Sequence, residues 1–253
     1  MTCAVEKRES RLVASGGLNN VCSLVDLGPL LSASSAATSP APVIADLEGH
    51  EGYLSTCAFV ESGDRVVTGS GDSTCILWDV ARAARIAQFK DHTGDVMSVA
   101  VSPSDRNIFI SGSCDAAAKA WDTRTGKCVT TFEAHEGDVN AVRFMRHGTT
   151  FGTGSDDSAA KVFDMRARTV VNSMQNENVT CAITCIDFSA SGRLLFAGYD
   201  NASCFAWDAL VEHAPSPTFS LSSHTGRVSC LGVSSQGHAV ATGSWDGRLA
   251  IWV

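Results

Sequence analysis

No stretch of the 253-residue sequence approaches the roughly 18 consecutive apolar residues a membrane-spanning helix needs, so membrane contact is expected only through a partner or a lipid. The opening residues, MTCAVEKRESR, lack the apolar core and small-residue cleavage site of a secretory leader. None of the ten cysteines forms a C-x-x-C pair, and no histidine stands near Cys181 and Cys185, the closest two, at zinc-finger spacing. The thiols are therefore read as reduced, mostly buried, small apolar side chains of a cytosolic protein, and the Asn178 and Asn201 sequons as unused. A G-x-S-x-G elbow, an H-E-x-x-H helix and a G-x-x-x-x-G-K-[ST] phosphate loop are all missing, which removes the common hydrolase and nucleotide-binding signatures. Positive charge is also short: 19 Lys and Arg against 27 Asp and Glu leave a net charge of −8. That balance argues against a nucleic-acid partner held by phosphate neutralisation. The acids are scattered, so no acidic tail is indicated, and no heptad or amphipathic helix is visible.

What the sequence does have is an internal repeat. GSGDSTCILWD, GSCDAAAKAWD, GSDDSAAKVFD and GSWDGRLAIWV align without gaps, with looser copies in GGLNNVCSLVD and AGYDNASCFAWD. Their turn positions, Asn19, Asp72, Asp115, Asp157, Asn201 and Asp246, are spaced 53, 43, 42, 44 and 45 residues apart. A period of roughly 40–45 residues is that of a WD-repeat propeller blade. A histidine (His50, His92, His135 or His224) precedes four of the turn aspartates by 22 or 23 residues. Alternating strands bounded by Gly, Asp and Ser give about four short strands per repeat. Such strands also suit a sandwich or barrel, but the self-contained unit favours radial blades. The expected fold is an all-β WD-repeat β-propeller over residues 1–253, with about six blades, the last lacking its outer strand, and a Ser/Ala/Pro-rich surface loop at about 28–43.

The repeated polar residues account for one another. His50, Ser70 or Thr68, Asp72 and Trp78 can form one hydrogen-bonded chain inside a dry blade. His92, Asp115 and Trp121 repeat the set, as do His224, Asp246 and Trp252; His135 and Asp157 do so with Phe163 in place of Trp. A Ser/His/Asp triad occurs once in a hydrolase, whereas recurrence makes this arrangement structural, and no enzyme, metal or cofactor is expected.

Longer strings carry a resemblance. MTCAV, GHEGYLSTCAF, HTGDVMSVAVSP, SGSCDAAAKAWD, AHEGDVNAVRF, GTGSDDSAAKVFD, FSASGRLLFAGYDNASCFAWDAL and GRVSCLGVSSQGHAVATGSWDGRLAIW cover nearly the whole chain outside the Ser/Ala/Pro loop. In order, they closely resemble the successive blades of the β subunit of heterotrimeric G proteins. The resemblance implies a non-enzymatic signalling scaffold that binds a γ subunit and, through one propeller face, the GDP-bound α subunit, with effectors using the same face. It implies a cytoplasmic protein reaching the inner face of the plasma membrane through partners. Carried over, the α-contacting positions are Met1, Leu18, Asn20, Tyr53, Asp95, Met97, Asp138, Asp156 and Trp245, with Asn140 beside them. Leu18, Asn20, Asp156 and Trp245 belong to turns between second and third strands, and Tyr53, Asp95, Met97 and Asp138 to the entry of first strands. Both are expected at one end of the ring. Aromatic and Met side chains ringed by Asp have the composition of an interface hot spot with a polar rim.

The sequence also departs from that family. The seven blades and γ-binding N-terminal helix that the resemblance implies are not all present, which leaves association with γ in doubt. A piece of a longer chain is the favoured reading, beside a short isoform or a six-bladed ring. Asn19, Val25 and Asn201 replace motif residues in the first and fifth repeats. A general WD-repeat adaptor with other partners is the alternative function.

Overall fold

The computed structural model describes residues 2–31, 40–60, 62–133, 135–176, 178–211 and 216–253. Among these described residues, six antiparallel sheets follow one another along the chain, one per repeat, making an all-β WD-repeat β-propeller. Blades 1 to 5 (residues 2–48, 54–90, 96–133, 139–174 and 183–220) have four strands each, and blade 6 (228–252) has three. The chain divides into two compact units. The first holds Met1–Val101, Arg106–Ser111 and Ala120–Val129; the second holds Ser102–Asp105, Gly112–Lys119 and Thr130–Val253.

In the first unit the first strands of blades 1, 2 and 3 (Thr2–Val5, Leu54–Phe59, Val96–Val101) pack side by side. The second unit does the same with those of blades 4, 5 and 6 (Val139–Phe144, Ile183–Phe188, Val228–Val233). Apolar faces of successive sheets meet and exclude water. Leu24, Leu54, Ile76 and Trp78 fill one such layer, and Leu77, Phe89, Phe109 and Trp121 the next. Ile183, Leu195, Tyr199 and Trp207 form the corresponding layer of the second unit. Each fully buried aliphatic or aromatic side chain contributes about 1.5–3 kcal/mol, so these layers are the main source of stability.

The Gly-Ser dipeptide that ends the second strand of blades 2, 3, 4 and 6 has a packing cause. A Cβ on Gly69 would lie 2.7 Å from a Val96 methyl, and one on Gly154 would lie 2.5 Å from a methyl of Ile183. Only glycine lets the next blade's first strand come this close. Those first strands carry a bulge in blades 2, 4, 5 and 6, where the register slips at Ser55, Asn140, Thr184 and Ser229. The bulge turns a polar side chain toward the neighbouring blade. Ser55 Oγ donates to the carbonyls of Gly69 and Val96, and Thr184 Oγ1 to those of Gly198 and Val228.

One detail differs from expectation. Within the segment read as a surface loop, Gly28–Leu31 form a single helical turn, because the Asp26 carboxylate accepts the Gly28 N–H and the Leu27 carbonyl accepts those of Leu30 and Leu31. The outer strand of blade 1 then begins at Val43, while the intervening residues 32–39 lie outside the described part.

Candidate functional site

The histidine-centred chains set the geometry of the blade ends. In blade 2, His50 Nδ1 lies 2.8 Å from Asp72 Oδ2 and Nε2 lies 2.8 Å from Thr68 Oγ1, while Trp78 Nε1 donates to the same hydroxyl at 2.8 Å. Only one proton arrangement of the neutral ring satisfies every partner. His50 Nδ1–H donates to Asp72, Thr68 O–H donates to Nε2, and Trp78 N–H donates to Thr68. The hydroxyl at the centre is thus Thr68, and Ser70 instead donates to the Gly52 carbonyl. Blade 6 repeats the chain with His224, Asp246, Thr242 and Trp252, and blade 4 has His135, Asp157 and Thr153 against Phe163. In blade 3, His92 and Trp121 share Ser111, and Asp115 accepts the N–H of Ala117.

Burial holds the His50 imidazole below its usual range despite the Asp72 carboxylate. For Asp157, burial alone would raise the pKa. Hydrogen bonds from His135 and from the Ala159 and Glu136 N–H groups outweigh it and bring the carboxyl down to about 2. The histidine side chains of blades 2, 4 and 6 are almost wholly enclosed.

Three of the turn aspartates also tie two loops together. Asp72 accepts the Glu51 N–H on one oxygen and the Thr74 N–H on the other. Asp157 holds Glu136 and Ala159 in the same way, and Asp246 holds Thr225 and Arg248. The first member of each pair lies on the loop entering the blade, the second on the turn between second and third strands. A backbone bond completes the pairing: Gly71 N–H donates to Tyr53 O, Asp156 to Asp138 O and Trp245 to Arg227 O.

In the first unit, Tyr53 donates its hydroxyl to Asp95 Oδ2 at 2.8 Å, with the Met97 sulfur at 3.8 Å. Asn20 sits in the left-handed region and its amide reaches the Glu51 carbonyl at 3.3 Å, while neighbouring Leu18 is 83% exposed. In the second unit, Asn140 is the bulge residue of blade 4. Its amide is divided between Asp156 Oδ1 (2.6 Å) and the Ile183 carbonyl (2.9 Å). Its nitrogen is therefore committed inside the protein and fixes the exposed Asp156 carboxylate. Trp245 is 75% exposed, yet the Arg227 guanidinium stands 5.2 Å from its ring centroid. Arg227 in turn pairs with Asp200 at 3.0 Å. Met1 lies outside the described residues.

Arg227 and Asp200 were missed in the sequence, although the repeat held a signal for both. Arg227 is the blade-6 equivalent of Tyr53, Asp95 and Asp138, and Asp200 the blade-5 equivalent of Asp156 and Trp245.

The family model described as G protein beta WD-40 repeat protein matches residues 1–253. The guanine nucleotide-binding protein subunit beta of Oryza sativa subsp. japonica is 44% identical over 265 residues, covering 100% of this chain and 68% of its own length. The subunit of the same name from Arabidopsis thaliana is 44% identical over 263 residues, with 100% and 68% coverage. That from Dictyostelium discoideum is 50% identical over 252 residues, with 100% and 69%.

Proposed function

This chain belongs to the G protein beta WD-40 repeat family, and from that premise we propose that it is a signalling scaffold binding a GDP-bound α subunit through Leu18, Asn20, Tyr53, Asp95, Met97, Asp138, Asp156 and Trp245. Effectors use the same residues once α has left, and a γ subunit is the further partner. Asn140 serves as the positioning residue for Asp156. The observation that carries this reading is Trp245. A large aromatic side chain, 75% exposed, is held in place by a cation–π contact and a backbone bond without filling any core. Hot spots are built from such ordered aromatic anchors.

The protein acts without chemistry of its own. Its repeated Ser/Thr, His and Asp sets are sealed: the His50, His135 and His224 side chains are 1–2% accessible, and each Nε2 is taken by a hydroxyl. No helix among the described residues is long and apolar enough to cross a membrane, so attachment through partners fits the same picture.

Titrating GDP-loaded α subunit into the wild type and Trp245→Ala tests the proposal. The variant is expected to keep its urea midpoint and to lose about 2 kcal/mol or more of binding free energy, as hot-spot truncations do. Unchanged affinity refutes the assignment of Trp245. Equal retention of GDP-bound and activated α subunit would instead point to a general WD-repeat adaptor.

A further inference from the structure

The connection between the first two strands of blade 1 reads Glu6-Lys7-Arg8-Glu9-Ser10-Arg11. Lys7 through Arg11 are exposed, whereas Glu6 is turned inward and buried. The Glu6 carboxylate accepts the backbone N–H groups of Arg8 and Glu9, the latter at 2.8 Å. The bond from Glu9, with weaker ones from Arg8 and Ser10, outweighs burial and keeps its pKa below the ordinary glutamate value. The negative charge of Glu6 is therefore spent on the turn's own backbone. Ser10 stands on this turn with φ 52°, and its hydroxyl makes no hydrogen bond to any described residue. Other turn hydroxyls are engaged: Ser62 bonds Asp64, Ser104 bonds Ser102 and Thr125 bonds a carbonyl.

The charge around Ser10 runs against that of the chain. Lys7 and Arg8 precede it by three and two residues and Arg11 follows it directly, with Glu9 the one exposed acid in the turn, in a protein of net charge −8. Arg11 is held by both oxygens of Asp26, at 2.8 and 2.7 Å, leaving Lys7 and Arg8 facing solvent. A free, exposed hydroxyl behind two basic side chains presents the charge that an acidic substrate groove complements. We propose that Ser10 is a phosphoacceptor for a basophilic serine kinase, one that reads Lys7 and Arg8.

In the reaction Ser10 Oγ attacks the γ-phosphorus of Mg–ATP. The Oγ–P bond forms, the bond from that phosphorus to the β–γ bridging oxygen breaks, ADP leaves, and the hydroxyl proton passes to the kinase's catalytic aspartate. The product carries about −1.5 to −2 charges at pH 7. It adjoins a cleft of about 650 Å³ lined by Arg8, Arg11, Asp26, Ile44, Val80 and Arg82, where it competes with Asp26 for Arg11.

The folded chain is incubated with Mg–ATP and the catalytic subunit of a cAMP-dependent protein kinase as the basophilic probe, and the modified residue is located by peptide mass spectrometry. Phosphate is expected at Ser10 in the wild type and not at that position in Ser10→Ala. Replacing both Lys7 and Arg8 by Ala removes two charge-assisted contacts to the kinase and lowers kcat/KM by about tenfold or more. Urea midpoints equal to wild type show that the variants remain folded. An unmodified Ser10, modification only after unfolding in urea, or a doubly substituted chain modified at the wild-type rate overturns the proposal.

Discussion

Replacing Thr68 by Val tests the hydrogen-bonded chain at its centre. Thr68 is fully buried, and its hydroxyl both donates to His50 Nε2 and accepts from Trp78 Nε1. Valine keeps the branched shape, so no cavity opens, but two buried polar groups lose their partner together. A buried group left unsatisfied costs about 1–3 kcal/mol, which sets the expected loss for the two at about 2–6 kcal/mol. Blade 4 supplies the control. Thr153 is equally buried and bonds His135, but Phe163 stands where Trp78 does and has no N–H to orphan. Thr153→Val should therefore cost about half as much, about 1–3 kcal/mol. Urea unfolding followed by far-ultraviolet circular dichroism gives both numbers. A Thr68→Val cost below about 1 kcal/mol, or a Thr153→Val cost equal to it, would refute the claim that one hydroxyl satisfies both rings.

Blade 5 lacks this chain: Ala197 holds the Thr68 position, and the buried Trp207 Nε1 and Tyr199 hydroxyl have no partner among the described residues. Ala197→Ser gives Trp207 the acceptor that Ser111 gives Trp121, and should raise the urea midpoint by about 1 kcal/mol of stability; an unchanged or lower midpoint counts against it. A Cβ on Gly71 would lie 2.3 Å from Tyr53 Cε1, so Gly71→Ala must displace the Tyr53 ring from Asp95. On the proposed function, that variant should weaken α-subunit affinity by about tenfold, read by titration, while wild-type affinity would remove Tyr53 from the interface. On acidification, burial makes His50 take its proton at lower pH in the fold than in the unfolded chain, which titrates at about 6.5, and Asp157 stays ionised to about 2 against about 3.9 unfolded. In both windows the unfolded state binds more protons, so the urea midpoint should fall below pH 6.5 and again from about pH 4 toward 2; a flat profile from pH 7 to 3 refutes this.

The fold was legible because each repeat writes its own hydrogen-bond code within a short span. His50 and Asp72 are 22 residues apart, Thr68 and Trp78 only 10, and each set can be checked against the next copy. Contacts between blades leave no such trace. Tyr53 meets Asp95 across 42 residues, and Asn140 is spent on Ile183 across 43, because a bulge turns its side chain out of the strict alternation. The Gly28–Leu31 turn was hidden for another reason: four residues are too few for a helical period, and the Asx-type bond from Gly28 to Asp26 sets it off. The fifth repeat read as a weak copy, and the structure shows what weakness means there, with Val179 at the position His50 holds in blade 2 and two polar groups left over.

A carboxylate that bonds an entering loop with one oxygen and a hairpin turn with the other makes the two segments move as one. Asp72, Asp157 and Asp246 each do this, and each is itself oriented from below by an enclosed histidine. The residue just before the aspartate and the residue opening the first strand are then joined through backbone atoms alone: Gly71 to Tyr53, Asp156 to Asp138, Trp245 to Arg227. A bond made by the main chain places no demand on the side chain it carries. The repeat therefore fixes where these side chains start while leaving their identity open, so the same frame can present glycine beneath a tyrosine, a pair of acids, or tryptophan beside arginine. Rigidity and variability fall on adjacent positions, so one frame can carry different contact side chains from blade to blade.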